Sequence, residues 1–238
     1  MAKLGYTAAQ IRAAEVPLLE RGVPLMARAS AALADHALSL LPVPKSSRVA
    51  VVAGAGDNGG DALHAAAAIA RAGVTVTIIA AMSYLHEAGA TAALTAGATL
   101  LGTQSSPTDP VAAAECAATS DLVIDGVLGI GAGGIAAGGT PVLRGHAREV
   151  VAAIKSAIAS ASPRPLVIAV DLPSGVDPDS GEVADPDAVL PADLTITFIG
   201  IKAGLLRGDG ARVAGKVWLE PIGASQQLLG VTPAITVD

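Results

Sequence analysis

The chain has 238 residues, of which 52% are hydrophobic but only 2% aromatic, and its formal net charge is −6. That size suits one large α/β domain with a core of Ala, Val, Leu and Ile. The acidic balance, the lack of a basic tract and the scarcity of stacking rings exclude a nucleic-acid binder, and the lone Cys116 excludes an intrachain disulfide and fits a reducing compartment.

The opening residues show no apolar run of a secretory signal. The longest uncharged stretch, 126–143, is too rich in glycine to span a bilayer. A soluble cytoplasmic protein, without membrane contact, is expected. Thr7-Ala-Ala-Gln10 is a capping box that opens a short helix, which Pro17 ends and Gly22 follows as a second stop. Residues 24–41 are predicted helical, with Leu25, Ala29, Leu33, Ala37 and Leu40 on one face. These helices pack by default on the sheet, and the Met26–Ala29 stripe reads as core.

Residues 49–53 form a β-branched strand, 54–60 a glycine-rich turn, 61–72 a helix and 74–79 a second strand, together one βαβ unit. Helices follow at 86–97, 109–119 and 148–160, and strands at 98–101, 121–125, 166–170, 193–198 and 215–219. Cys116, in the second of these helices, reads as buried and inert, having no basic neighbour. The alternation predicts a mainly parallel sheet covered on both faces, preceded by N-terminal helices.

The glycine-rich and acidic loops each follow a strand: 54–61, 125–134, 171–175 and 202–204. In an open parallel sheet such loops emerge on one edge, where ligands bind. Gly54, Gly56 and Gly59 fit the dinucleotide turn, whose bare N–H groups at a helix start suit a phosphate. An ordinary NAD-dependent oxidoreductase also needs an acidic residue at the end of the second strand. Here nothing acidic precedes Glu87, so that reading is disfavoured. A plain turn needs one Asn or Asp, whereas Asp57, Asn58 and Asp61 surround Gly59 and Gly60.

Asp171 ends an apolar strand and precedes Pro173-Ser174-Gly175, so desolvation should raise its proton affinity and suit it to acid/base work. Asn58, Asp125 and Ser174 offer oxygens of the kind hard cations prefer. The four histidines are scattered along the chain, against a zinc site. Lys202 is open to two readings, a point charge for a phosphate or a solvated surface lysine.

The motifs Gly-Ala-Gly-Asp-Asn-Gly-Gly-Asp (54–61), Asp125 with Gly129-Ile-Gly131, Asp171-Leu-Pro-Ser-Gly175 and Thr197-Phe-(x)3-Lys202 together resemble the NAD(P)H-hydrate epimerase family, the YjeF N-terminal domain. The resemblance spans nearly the whole chain, including the opening helices. It implies a single domain over 1–238 with a Rossmann-like three-layer αβα sandwich, a homodimer, and no C-terminal dehydratase domain. It implies interconversion of the R and S epimers of hydrated NADH or NADPH at C6 of the nicotinamide ring, with a bound potassium ion. Carried over by position, Asp57, Asn58, Gly59, Gly60 and Asp61 hold the dinucleotide. Gly129, Ile130, Gly131, Ala132, Gly133, Gly134, Ile135, Asp171 and Lys202 touch it, and Asn58, Asp125 and Ser174 ligate potassium. Asp171 is the expected acid/base, and an ADP/ATP-dependent NAD(P)H-hydrate dehydratase the expected functional partner. The chain departs from the family pattern at Asp57 and Ala62, which usually are Asn and Gly; Asp57 adds negative charge beside a diphosphate and bears on the choice between NADH and NADPH forms. The competing reading is a nucleotide- or partner-binding module of the same fold without turnover.

Overall fold

The computed structural model describes residues 2–102, 106–130 and 141–237. Its centre is a seven-stranded sheet of β2 (Arg48–Ala53), β3 (Thr75–Ala80), β4 (Thr99–Leu101), β5 (Leu122–Gly126), β6 (Leu166–Val170), β7 (Leu194–Phe198) and β9 (Lys216–Glu220). The spatial order is β4-β3-β2-β5-β6-β7-β9, and every pairing in it is parallel. The chain first winds from β2 towards β4, then returns to place β5 on the other side of β2. The direction of winding therefore reverses between β2 and β5, where an open sheet leaves a crevice.

The strands read as apolar runs because both faces are covered. Val49, Val51 and Ala53 of β2 point into one hydrophobic cluster; Ala50 and Val52 point into the other. The first cluster lies beneath α1 (Ala8–Glu20), α2 (Leu25–Leu40), α3 (Asp57–Arg71) and α4 (Glu87–Thr95). The second is closed by α5 (Pro110–Ala118) and α6 (Gly145–Ser160). The result is the three-layer αβα arrangement expected from the alternation. Among the described residues no helix is long and apolar enough to cross a membrane.

Three expectations need correction, and one feature is new. Pro17 does not end α1 but sits inside it, near its C-terminus. The missing N–H costs one bond of the last turns, and burial of Ile11, Ala14 and Leu18 holds the helix through it. Leu40 is exposed at the C-terminus of α2, whose inward face consists of Leu25, Ala29, Leu33 and Ala37. The glycine pair at 59–60 lies in the first turn of α3, which starts at Asp57. Finally, β1 (Lys3–Tyr6), β8 (Ile201–Lys202) and β10 (Ile235–Val237) form a second sheet, order β10-β1-β8, that the sequence pattern does not announce.

Candidate functional site

Loops from the C-terminal ends of β2, β5, β6 and β7 converge on one cavity of about 920 Å³. Asp57, Asn58, Asp61, Gly129, Ile130, Asp171 and Lys202 line it. Gly59 and Gly60 lie behind that lining, buried in the first turn of α3. Gly131, Ala132, Gly133, Gly134 and Ile135 lie outside the described residues. Every other site residue inferred from sequence is thus in or directly beneath one crevice, at the point where winding reverses.

Glycine is required at two places in this turn. A Cβ on Gly59 would sit 2.1 Å from the Gly54 carbonyl oxygen, and one on Gly54 would sit 2.1 Å from that of Val127. The turn is folded on itself and pressed against the exit of β5. Asn58 bridges the same gap, its Nδ2 donating to the Leu128 carbonyl at 3.0 Å.

Beneath it, Asp125 is fully buried. Its Oδ1 accepts from Ser174 Oγ at 2.6 Å and from the Val127 N–H at 3.3 Å, and its Oδ2 from the Ser174 N–H at 2.9 Å. Burial raises its proton affinity, and the two bonds from Ser174 and the one from Val127 oppose that. Ser174 Oγ also accepts from the Leu128 N–H at 2.9 Å and lies 3.3 Å from the Leu128 carbonyl oxygen. Oxygens of Asp125, Ser174 and Leu128 therefore gather beside the Asn58 amide. An all-oxygen set with one carboxylate fits a hard cation of low charge.

Lys202 and Asp171 pair with each other, which corrects both readings of Lys202. Lys202 is neither solvated nor a free point charge: it is 1% exposed and ion-paired with the carboxylate of Asp171. Its Nζ also donates to the Phe198 carbonyl at 3.0 Å. Asp171 Oδ1 further accepts from Thr197 Oγ1 and the Phe198 N–H, each at 3.3 Å. The carboxyl at this apolar strand mouth is thus surrounded by donors. Its backbone is left-handed, φ 68°, and so is that of Ile199 at the end of the neighbouring strand, φ 69°. A β-branched residue adopts this only under constraint, a cost of order 1–3 kcal/mol, and both residues line the cavity.

The lonely carboxyl is Asp61. Its Oδ1 is buried without a hydrogen-bond partner among the described residues. Desolvation, with repulsion from Asp171 and Asp57, pushes its pKa up to about 8, with Lys202 pulling the other way. Glu15 on α1 is raised too, chiefly by burial. The cavity thus carries the Lys202–Asp171 ion pair beside a carboxyl whose pKa burial raises to about 8.

The family described as YjeF-related protein N-terminus matches residues 22–204. The chain belongs to this YjeF-related family. One relative, the NAD(P)H-hydrate epimerase of Clavibacter michiganensis subsp. michiganensis, is 47% identical over 231 residues, 97% of this chain and 94% of that protein. The bifunctional NAD(P)H-hydrate repair enzyme Nnr of Pyrobaculum aerophilum is 38% identical over 209 residues, which are 85% of this chain but 38% of that longer protein. The crystal structure of yeast ynu0, YNL200c, matches with a TM-score of 0.64 at 18% identity, covering 84% of this chain and 82% of that one, and shows the shared fold.

Within this YjeF-related fold several cavity residues escaped the sequence reading. Arg12 and Glu15 reach the cavity from α1, and Arg12 Nη1 donates to the Ile130 carbonyl at 2.7 Å, holding the second loop. Met26 lines the cavity although its stripe read as core. The available signal was a pair of opposite charges, three residues apart, beside the buried positions Ile11 and Ala14. His64 and His86, remote in sequence, bring their rings to 6.0 Å, centre to centre. Cys116 is half-buried and its thiol pKa is raised, mainly by burial.

Proposed function

We propose that this protein is an NAD(P)H-hydrate epimerase that interconverts the R and S forms of hydrated NADH and NADPH. The observation that carries this reading is the single cavity running from the glycine-rich turn at a helix start to a buried ion pair, with the unpartnered carboxyl of Asp61 beside it. Relatives named for this activity match across nearly the full chain.

The turn at 54–60 and the start of α3 receive the diphosphate, where bare N–H groups favour negative charge. The nicotinamide ring then lies at the β5–β6 side, against Asp61 and Asp171. C6 of the hydrated ring is bonded to the ring nitrogen and to a hydroxyl. Asp61 supplies a proton to that hydroxyl, the C–O bond breaks, and water leaves while the nitrogen lone pair forms a C=N bond. C6 is then planar. Water adding to the opposite face gives up its proton to the Asp171 carboxylate, and exchange of protons with solvent resets the pair. Lys202, paired with the Asp171 carboxyl, orients it for that task.

Asn58, Asp125, Ser174 and the Leu128 carbonyl are the residues that would hold a potassium ion, with the Asn58 amide turned to present its oxygen. The ion would supply fixed positive charge that offsets Asp125 and Asp57 near the diphosphate. The bifunctional relatives favour a dehydratase as the partner that consumes the product.

The test is chromatography of an R/S mixture of hydrated NADH with protein, in potassium and in a potassium-free buffer. Acceleration over the spontaneous rate, greater with potassium, is expected. Binding of the nucleotide without acceleration would make this a binding module instead.

A further inference from the structure

A second, more open pocket of about 720 Å³ lies across the glycine-rich turn from the main cavity. Ala55, in the turn itself, lines both. The rest of the second pocket comes from the β3–α4 connection and the first turns of α4, including Leu85, His86, Glu87 and Thr91. We propose that this pocket receives the adenosine half of the substrate, with Glu87 accepting from the ribose hydroxyls and Tyr84 stacking on the base. The chain therefore selects hydrated NADH over hydrated NADPH. This inference rests on the epimerase reading.

Three observations support it. First, a dinucleotide bound where the winding reverses crosses the turn, with one nucleoside on each side. The reactive groups occupy the β5–β6 side, which leaves the β3 side for adenosine.

Second, the position after β3 that holds a ribose in ordinary dinucleotide folds is here the buried, apolar Ala81. Glu87 replaces it from the next helix, because glycines let α4 pack close to α3. A Cβ on Gly60 would lie 3.1 Å from the His86 ring, and one on Gly89 would lie 2.8 Å from the Leu63 Cβ. His86 Nδ1 accepts from the Gly89 N–H at 3.1 Å and fixes the start of α4. The two glycines thus bring Glu87 to the edge of the turn.

Third, among the described residues the lining of this pocket contains no Lys or Arg, which a 2′-phosphate requires, and it presents a carboxylate that repels one. Tyr84 stands 68% exposed at the mouth of the main cavity, just before Leu85 and His86, in a chain with very few aromatic residues. An exposed ring at that junction is a stacking surface for a purine.

Initial rates with hydrated NADH and hydrated NADPH, measured for the native protein, Glu87→Gln and Glu87→Arg, test the assignment. The native kcat/KM should favour hydrated NADH by about tenfold or more, mainly through KM. Glu87→Gln should shrink the ratio and Glu87→Arg invert it. Equal kcat/KM in the native protein, or a ratio unmoved by both variants, overturns the assignment. Should Glu87→Arg fail to fold by circular dichroism, the Glu87→Gln ratio decides. Failure of the native protein to accelerate either hydrate would instead overturn the epimerase reading.

Discussion

Lys202 and Asp171 share an ion pair whose side chains are 1% and 9% exposed, at the ends of two strands that belong to different sheets. Breaking such a pair from one side leaves a buried charge uncompensated, at about 3–5 kcal/mol. Lys202→Met and Asp171→Asn should each lose that much stability in urea denaturation. The double variant should lose clearly less than the sum, because no lone charge remains. Additive losses would mean that the two groups act independently. Epimerisation should fall with Asp171→Asn even where the protein is fully folded.

Asp61 makes stability depend on pH. Its proton is bound more tightly in the folded chain, where the pKa reaches about 8 against an ordinary 3.8. The stabilisation is complete below the unfolded value and is lost as pH rises through the folded one. The unfolding free energy should therefore decline between about pH 4 and pH 8. Glu15 and Asp125, both raised by burial, act in the same direction. Asp61→Asn should flatten this decline in thermal melts taken at several pH values. An identical slope in variant and native protein would refute the assignment.

Gly54 and Gly56 belong to one motif but should respond differently to Ala. The Cβ of Gly54→Ala meets backbone at 2.1 Å, whereas that of Gly56→Ala has nothing within 4 Å. The first should cost about 3 kcal/mol or more, and the second, at a helix N-cap, about 1 kcal/mol or less. Parallel urea titrations of the two variants check the contrast.

Ser174→Ala removes the 2.6 Å bond to Asp125 and leaves the Leu128 N–H without its acceptor. A stability loss of about 1–3 kcal/mol should follow. If these oxygens hold potassium, the concentration of potassium for half-maximal epimerisation should also rise several-fold. A potassium response unchanged in this variant would remove Ser174 from the set.

The main sheet was legible because its central strands are continuous apolar runs, as in Val49–Ala53 and Leu166–Val170, and the loops after β2, β5 and β6 carry glycine or acid. The convergence of Asp57, Asn58, Asp125, Asp171 and Ser174 follows from that alternation alone. The burial of Lys202 does not. Nothing in Ile-Lys-Ala-Gly separates a buried lysine from a solvated one, and its pairing in register with Tyr6 on β1 is not announced by the sequence. Strands of two to four residues such as β1, β8 and β10 are too short for periodicity to show. Asp61 was legible as a site residue but not as the carboxyl without a partner, because that depends on which neighbours reach its oxygen. The same holds for Arg12 and Glu15, which are near the crevice only because α1 lies over it.

The small sheet has its own bearing on the crevice. Its middle strand, Lys3–Tyr6, is hydrogen-bonded to Ile235–Val237 on one side and to Ile201–Lys202 on the other. So few ladder bonds predict that it opens before the main sheet does. Each such opening frees the backbone on which the ammonium is mounted, without disturbing the main sheet. A substrate that needs this charge in place must, by binding, also fasten two stretches of chain far from it. Slower amide exchange at Gly5 and Tyr6 is how that fastening would be seen.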